Sequence, residues 1–262
     1  LGVVALSRIY SPAQFGIYAV VLGAVTILSA ASSFRYEMTV LLPKSEHLAN
    51  LALQLSLLVS VAINTVGALL IALLIGVGLV EPLWLIVPIT SFFSSVINIA
   101  SFLQNRKKQY ARIASIQVAR AILFVLLALL VFWFGASGNG LLFAMPISIG
   151  LPAIYLLATD YRKSSGLVGT LRIPRLKAWA RKHKKFVIFS TPAVFVSSVA
   201  SQAPVFLLST LAGPGVAGYY MMIQRVMMAP VVLVSGAVNK VYLRSIARRR
   251  ANGEAIFQFT KS

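Results

Sequence analysis

The sequence predicts an all-α polytopic membrane protein. Of 262 residues, 59 % are hydrophobic and 11 % charged, whereas an average soluble domain is about 25 % charged. Mean hydropathy is +0.88. Apolar runs of about 20 residues, the length a bilayer core demands, recur along the whole chain. Lys and Arg sit between the runs and crowd alternate gaps, as membrane topology requires. That placement accounts for the net charge of +19, so no nucleic-acid partner is expected. Cysteine is absent, which removes disulfides and thiolate metal sites.

Taken in order, Leu1 to Ile9 would reach only about 14 Å as a helix, against about 30 Å of hydrocarbon. It reads as the tail of a first helix, and the sequence is expected to be a fragment. Seven more helices are predicted: Phe15–Phe34, Leu48–Leu79, Leu83–Leu103, Ala111–Gly135, Leu141–Thr159, Phe186–Leu211 and Val216–Tyr242. Turn chemistry separates them at Ser11-Pro12, Pro43, Glu81-Pro82, Gly135 to Gly140, and Gly213-Pro214-Gly215. The Leu48–Leu79 run exceeds a bilayer thickness and must tilt or extend into the interface.

The gaps orient the helices. One set carries Arg35 and Lys44; Arg106, Lys107, Lys108 and Arg112; nine Lys/Arg from Arg162 to Lys185; and Lys240, Arg244, Arg248, Arg249 and Arg250. The gaps between hold none beyond Arg8. The positive-inside rule places the first set, and the N-terminus, in the cytoplasm. Residues 172–185, RIPRLKAWARKHKK, follow this logic with Leu176 and Trp179 set among cations. Two readings stand: an amphipathic helix lying on anionic headgroups, or an ordinary charged loop.

An internal repeat links SPAQFGIY (11–18) to GPGVAGYY (213–220). Pro12, Gly16 and Tyr18 match Pro214, Gly218 and Tyr220 at one constant offset. Six helices separate the copies, so both keep the same orientation, as in a parallel repeat about an axis along the membrane normal. Three regions follow: a first transmembrane lobe over 1–160 with its first helix truncated, a basic linker over 161–185, and the start of a second lobe over 186–262.

Four stretches then carry a resemblance: SRIYSPAQFGIYA (7–19), FRYEMTVLLPKSEHLANLAL (34–53), NRKKQYARIA (105–114) and LAGPGVAGYYMMIQRVMMAP (211–230). Together they resemble the bacterial polysaccharide biosynthesis (Wzx-like) flippases of the multidrug/oligosaccharidyl-lipid/polysaccharide exporter superfamily. The resemblance implies two lobes around a central cavity. It also implies transfer of undecaprenyl-pyrophosphate-linked oligosaccharide across the bacterial inner membrane by alternating access, and contacts with other polysaccharide-assembly proteins. The second lobe of this chain is truncated relative to that plan.

Buried charge supplies the candidate site. Arg225 lies about 14 Å inside its predicted helix by helical rise, where an arginine costs at least ~3 kcal/mol. A guanidinium suits bidentate recognition of pyrophosphate oxygens; a structural contact is the alternative. Arg120, two turns inside its helix, Arg35 and Arg8 are the other substrate-binding candidates. Arg35 and Glu37 are two residues apart and would not share a helix face, so separate partners are expected for them. Glu37 is assigned either ion coupling or, more plainly, an interhelical salt bridge. Asn64, Asn98, Gln104, Gln117 and Gln202 are expected mainly to serve helix packing.

No phosphate-binding G-x-x-x-x-G-K-[ST] loop occurs. His47 and His183 are the only histidines, and the acids number five. No metal, cofactor or catalytic arrangement is expected, and the chain is not expected to be an enzyme. A membrane glycan polymerase or ligase is the enzyme alternative. A cation-coupled multidrug exporter of the same superfamily is the transport alternative.

Overall fold

The structure is a computed structural model that describes residues 6–43, 45–134, 139–161 and 173–228. All regular structure among them is helical: α1 Pro12–Ala31, α2 Glu46–Gly76, α3 Ile86–Arg106, α4 Tyr110–Trp133, α5 Gly140–Leu156, α6 Ile173–Lys182 and α7 Thr191–Leu211. A further helix covers 214–228. Helices dominate because hydrocarbon offers no water to backbone N–H and C=O groups, so each segment must satisfy its own.

Among the described residues, six stretches are long and apolar enough to cross a membrane: Pro12–Ala31, Glu46–Gly76, Pro82–Arg106, Tyr110–Trp133, Gly140–Asp160 and Phe186–Leu211. The protein is an all-α polytopic membrane protein. Each of the six lies within three residues of the boundaries read from the sequence. The predicted Val216–Tyr242 helix is described only to residue 228. Residues 1–5, Lys44, the turn at 135–138, the linker residues 162–172, and the rest of the last predicted helix with the basic tail (229–262) lie outside the described residues. The chain divides into two parts, Leu1–Tyr219 and Tyr220–Ser262.

In the first part α3 is the central helix, packed on α1, α2 and α5, while α4 lies on α5 and α7 on α1. A polar seam sets the α2–α3 register. Ser60 and Ser95 share a hydrogen bond between hydroxyls. Gly67 faces Leu28 of α1 and, further along the same antiparallel pairing, Pro88 of α3. Asn64, a turn beyond Ser60, is buried and donates to the Ser60 carbonyl at 2.8 Å. Gln202 of α7 packs over Gly23 of α1. These residues serve packing, as the sequence suggests. Asn98 and Gln117 do not, because both are exposed.

Ser11 begins α1 with a capping box: its hydroxyl accepts from Gln14 N at 3.4 Å and its own N–H donates to Gln14 Oε1 at 2.8 Å, with Pro12 in the first turn. The repeat read from the sequence meets itself at this point. A Cβ on Gly16 would overlap the carbonyl oxygen of Pro214, and one on Gly218 would overlap that of Pro12. The contact is reciprocal: each copy's glycine takes the other copy's proline carbonyl. Only glycine allows two backbones to approach this closely. Nearby, Tyr10 donates to the Ala128 carbonyl at 2.7 Å and sits edge-on to Phe132.

Alanine at Gly16 or Gly218 must therefore push two helices apart. The expected cost reaches or exceeds the usual ~1–3 kcal/mol of overpacking, read as a lowered unfolding midpoint in detergent. Gly76→Ala, where a Cβ meets nothing within 4 Å, should leave the midpoint unchanged or raise it slightly.

Candidate functional site

Polar chemistry gathers at one end of the bundle, where α1, α3 and α5 finish and α4 begins. α1 stops at Ala31, and the chain then turns through Phe34 and Arg35, both with positive φ (47° and 59°). Left-handed backbone is uncommon for residues with a Cβ. A 3₁₀ helix, Tyr36–Leu41, follows.

That break changes the relation of Arg35 to Glu37. Separate partners were expected because residues two apart diverge on a helix. With Arg35 left-handed there is no continuous helix, and Arg35 Nη1 reaches Glu37 Oε1 at 3.4 Å. Glu37 is buried and also accepts from the Ser33 hydroxyl. The other edge of the guanidinium is poorly served. Nη2 donates only weakly, to Met38 Sδ at 3.5 Å, and Nε meets no acceptor among the described residues. Nε and Nη2 form the edge that binds two oxygens of one phosphate or carboxylate.

A second cluster joins α3, α4 and α5. Asp160 is buried, 6 % exposed, in the π turn Leu157–Tyr161 that prolongs α5. Arg112 Nη1 pairs with Asp160 Oδ1 at 2.7 Å, and Gln104 Nε2 donates to Oδ2 at 2.9 Å. Arg112 Nη2 also donates to Thr159 Oγ1 at 2.6 Å. Sequence reasoning took Arg112 only as a topology charge, Gln104 as helix packing, and passed over Asp160. The available signal was scarcity: with five acids in the chain, one at the end of an apolar run beside a basic gap needs a cation. Arg106 Nη1 reaches the Val40 carbonyl at 3.0 Å and the Pro43 carbonyl as well, fastening the 3₁₀ turn to α3.

α6 closes this end. Leu176 and Trp179 are buried; Trp179 Nε1 donates to Thr39 Oγ1 at 3.3 Å, and the Tyr36 hydroxyl donates to the Ala180 carbonyl at 3.5 Å. Of the two readings of 172–185, the described part, from Ile173, forms an amphipathic helix, but its apolar face rests on the protein itself. Lys182 and burial together lower the pKa of His183, burial contributing more.

The three candidate arginines of the first part do not converge. Arg8 is exposed before α1 and Arg35 follows it, so the length of α1, about 30 Å, separates them. Arg120 is half-buried on α4, about 15 Å along the helix from Tyr110, and has an interaction of its own. Gln117 shares its face three residues away. Asn98 and Gln117 lie ten and nine residues on either side of Lys108, at similar depth in adjoining helices. Arg225 belongs to the second part, half-buried and likewise engaged. Among the described residues no group of His, Cys, Asp and Glu could hold a metal ion.

The family model for polysaccharide biosynthesis proteins matches residues 5–261. The chain belongs to this family. The match spans both halves of the repeat, the Arg35–Glu37 turn and the α6 segment. No curated protein and no solved structure matches the chain.

Two measurements test this architecture. Arg112→Ala strands a buried carboxylate and should cost about 2 kcal/mol. Asp160→Asn should cost less, because Arg112 is 30 % exposed and can turn to water. The double variant should recover part of the Arg112→Ala loss, as double-mutant thermal unfolding would report. For His183, a lowered folded pKa favours the neutral ring. Its contribution should be present above its ordinary value of 6.5 and be lost as pH falls below it. His183→Gln should flatten that acid limb.

Proposed function

We propose that this member of the polysaccharide biosynthesis family is a flippase. It moves a polyprenyl-pyrophosphate-linked oligosaccharide from the cytoplasmic to the outer leaflet of the bacterial inner membrane, without covalent chemistry, for surface polysaccharide assembly. The basic end is then cytoplasmic, in accord with the positive-inside rule.

The observation that carries the reading is Arg35. Its guanidinium stands at the end of a membrane helix on left-handed backbone, with Glu37 holding Nη1 and the Nε/Nη2 edge answered only by a thioether. A pyrophosphate entering from the cytoplasmic headgroup layer meets this edge once Met38 swings aside. Further in, exposed Asn98 and Gln117, with Arg120 on the same face as Gln117, offer hydrogen bonds at membrane depth. Polar groups there mark a substrate or water path more often than a lipid face. Arg225, in the second part of the chain, is a further phosphate contact by its place within an apolar run, and Glu37 sets the Arg35 geometry rather than carrying a coupling ion. Contacts with other polysaccharide-assembly proteins belong to the same reading.

The test uses the complete gene in its own host. Deletion should cause lipid-linked glycan to accumulate on the cytoplasmic side. Arg35→Ala should restore transport about 10–100-fold less well than wild type, the equivalent of a lost charged hydrogen-bond pair of ~1.5–3 kcal/mol. Arg35→Lys, which keeps the charge without the fork, should fall between. Full transport by both variants would remove Arg35 from the site. A deletion with no accumulation and no redundant flippase would turn the reading to drug export.

A further inference from the structure

We infer that the outer face of α6 is an anionic-phospholipid contact, strapped to the turn that presents Arg35. Three observations combine. The apolar face of α6 is already occupied, by burial of Leu176 and Trp179 and by the Trp179–Thr39 and Tyr36–Ala180 hydrogen bonds. The helix therefore does not insert into the bilayer. What it leaves outward is charge: Arg175, Lys177, Arg181, Lys182, Lys184 and Lys185 are all exposed along α6 and the three residues after it.

Compensating acid is scarce. Glu37 and Asp160 are buried and paired with Arg35 and Arg112. Glu46 is the one exposed acid at this end among the described residues, and Arg175 there faces His47 at 3.5 Å. A surplus of this size needs an anionic partner.

Position selects the partner. Lys185 is followed directly by Phe186, where the next membrane span begins. The other side of α6 packs on α2 and is hydrogen-bonded to the 3₁₀ helix Tyr36–Leu41, which begins five residues after the end of α1. Both anchors lie at span ends, so the cations stand at headgroup depth, well within the ~10 Å over which surface charge acts. A layer of anionic phospholipid fits this placement better than a soluble acidic protein. The contact is electrostatic rather than insertive, so it should respond to leaflet charge and salt. Because α6 is hydrogen-bonded to both Tyr36 and Thr39, whatever holds α6 also steadies the backbone that carries Arg35. This inference does not depend on the flippase reading.

The experiment takes the full chain in neutral detergent and titrates it with phosphatidylglycerol or phosphatidylcholine. Bound lipid is counted by native mass spectrometry and the unfolding midpoint is followed in parallel. Phosphatidylglycerol should bind more tightly and raise the midpoint, and 0.5 M salt should abolish its advantage. Each cation near an anionic surface contributes about fivefold in affinity. Lys177→Gln/Arg181→Gln/Lys184→Gln should therefore weaken phosphatidylglycerol binding about 100-fold while leaving phosphatidylcholine binding and the lipid-free midpoint unchanged. Equal binding of the two lipids by wild type, or an undiminished preference in the triple variant, would overturn the inference. So would an equal stabilisation by inorganic phosphate, since the surface would then read phosphate rather than a leaflet.

Discussion

The bilayer offers the backbone no water, and the rest of this structure follows from that constraint. A helix crossing hydrocarbon must close its own hydrogen bonds, so the chain can break regularity only near span ends. The left-handed Arg35, the 3₁₀ turn after it and the π turn at Asp160 all occur there. Unusual backbone and ionisable side chains coincide because the same depth tolerates both. The candidate site is concentrated at one end for a reason of solvation, before any question of substrate arises.

Within that end, the shortage of acids decides which cations are held and which are free. Among the described residues two carboxylates are buried, and each takes one arginine: Glu37 takes Arg35, and Asp160 takes Arg112. The two pairs differ in kind. Asp160 receives Arg112 at 2.7 Å and Gln104 at 2.9 Å from two other helices, so it ties three helix ends together. Glu37 receives Ser33 and a looser Arg35 from its own segment, and ties nothing across the bundle. The first arrangement suits a joint. The second leaves a guanidinium held by Nη1 on Glu37 and only weakly by Nη2 on Met38, with Nε unanswered among the described residues.

Much of the fold was legible because the spans are set by one-dimensional quantities, apolar length and turn residues. The Glu81-Pro82 and Gly213-Pro214-Gly215 breaks mark helix ends directly. The repeat was legible too, since Pro12 and Gly16 recur as Pro214 and Gly218, though only coordinates show each glycine receiving the other's proline carbonyl. The Arg35–Glu37 pair was not legible. Its separation forbids pairing on a helix, and nothing in the pattern announces that α1 ends at Ala31 rather than Phe34. For the Gln104–Arg112–Asp160 cluster, the scarcity of acids signals only that Asp160 needs a cation; which residues meet it, from three helices, is set by packing.

The α6 segment shows why amphipathicity alone does not say where a helix rests. Leu176 and Trp179 on one side and cations on the other satisfy the pattern for a helix lying in a membrane surface. They satisfy equally a helix docked on its own protein. What separates the two is whether the aromatic tip finds a polar partner. An indole N–H in the headgroup layer is satisfied by water or lipid, whereas Trp179 donates to Thr39 and is buried with Leu176. With that bond, the apolar side of the helix faces protein and its lysines and arginines face outward. An amphipathic stretch beside a membrane is therefore better judged by what its aromatic residue can reach than by the contrast between its faces.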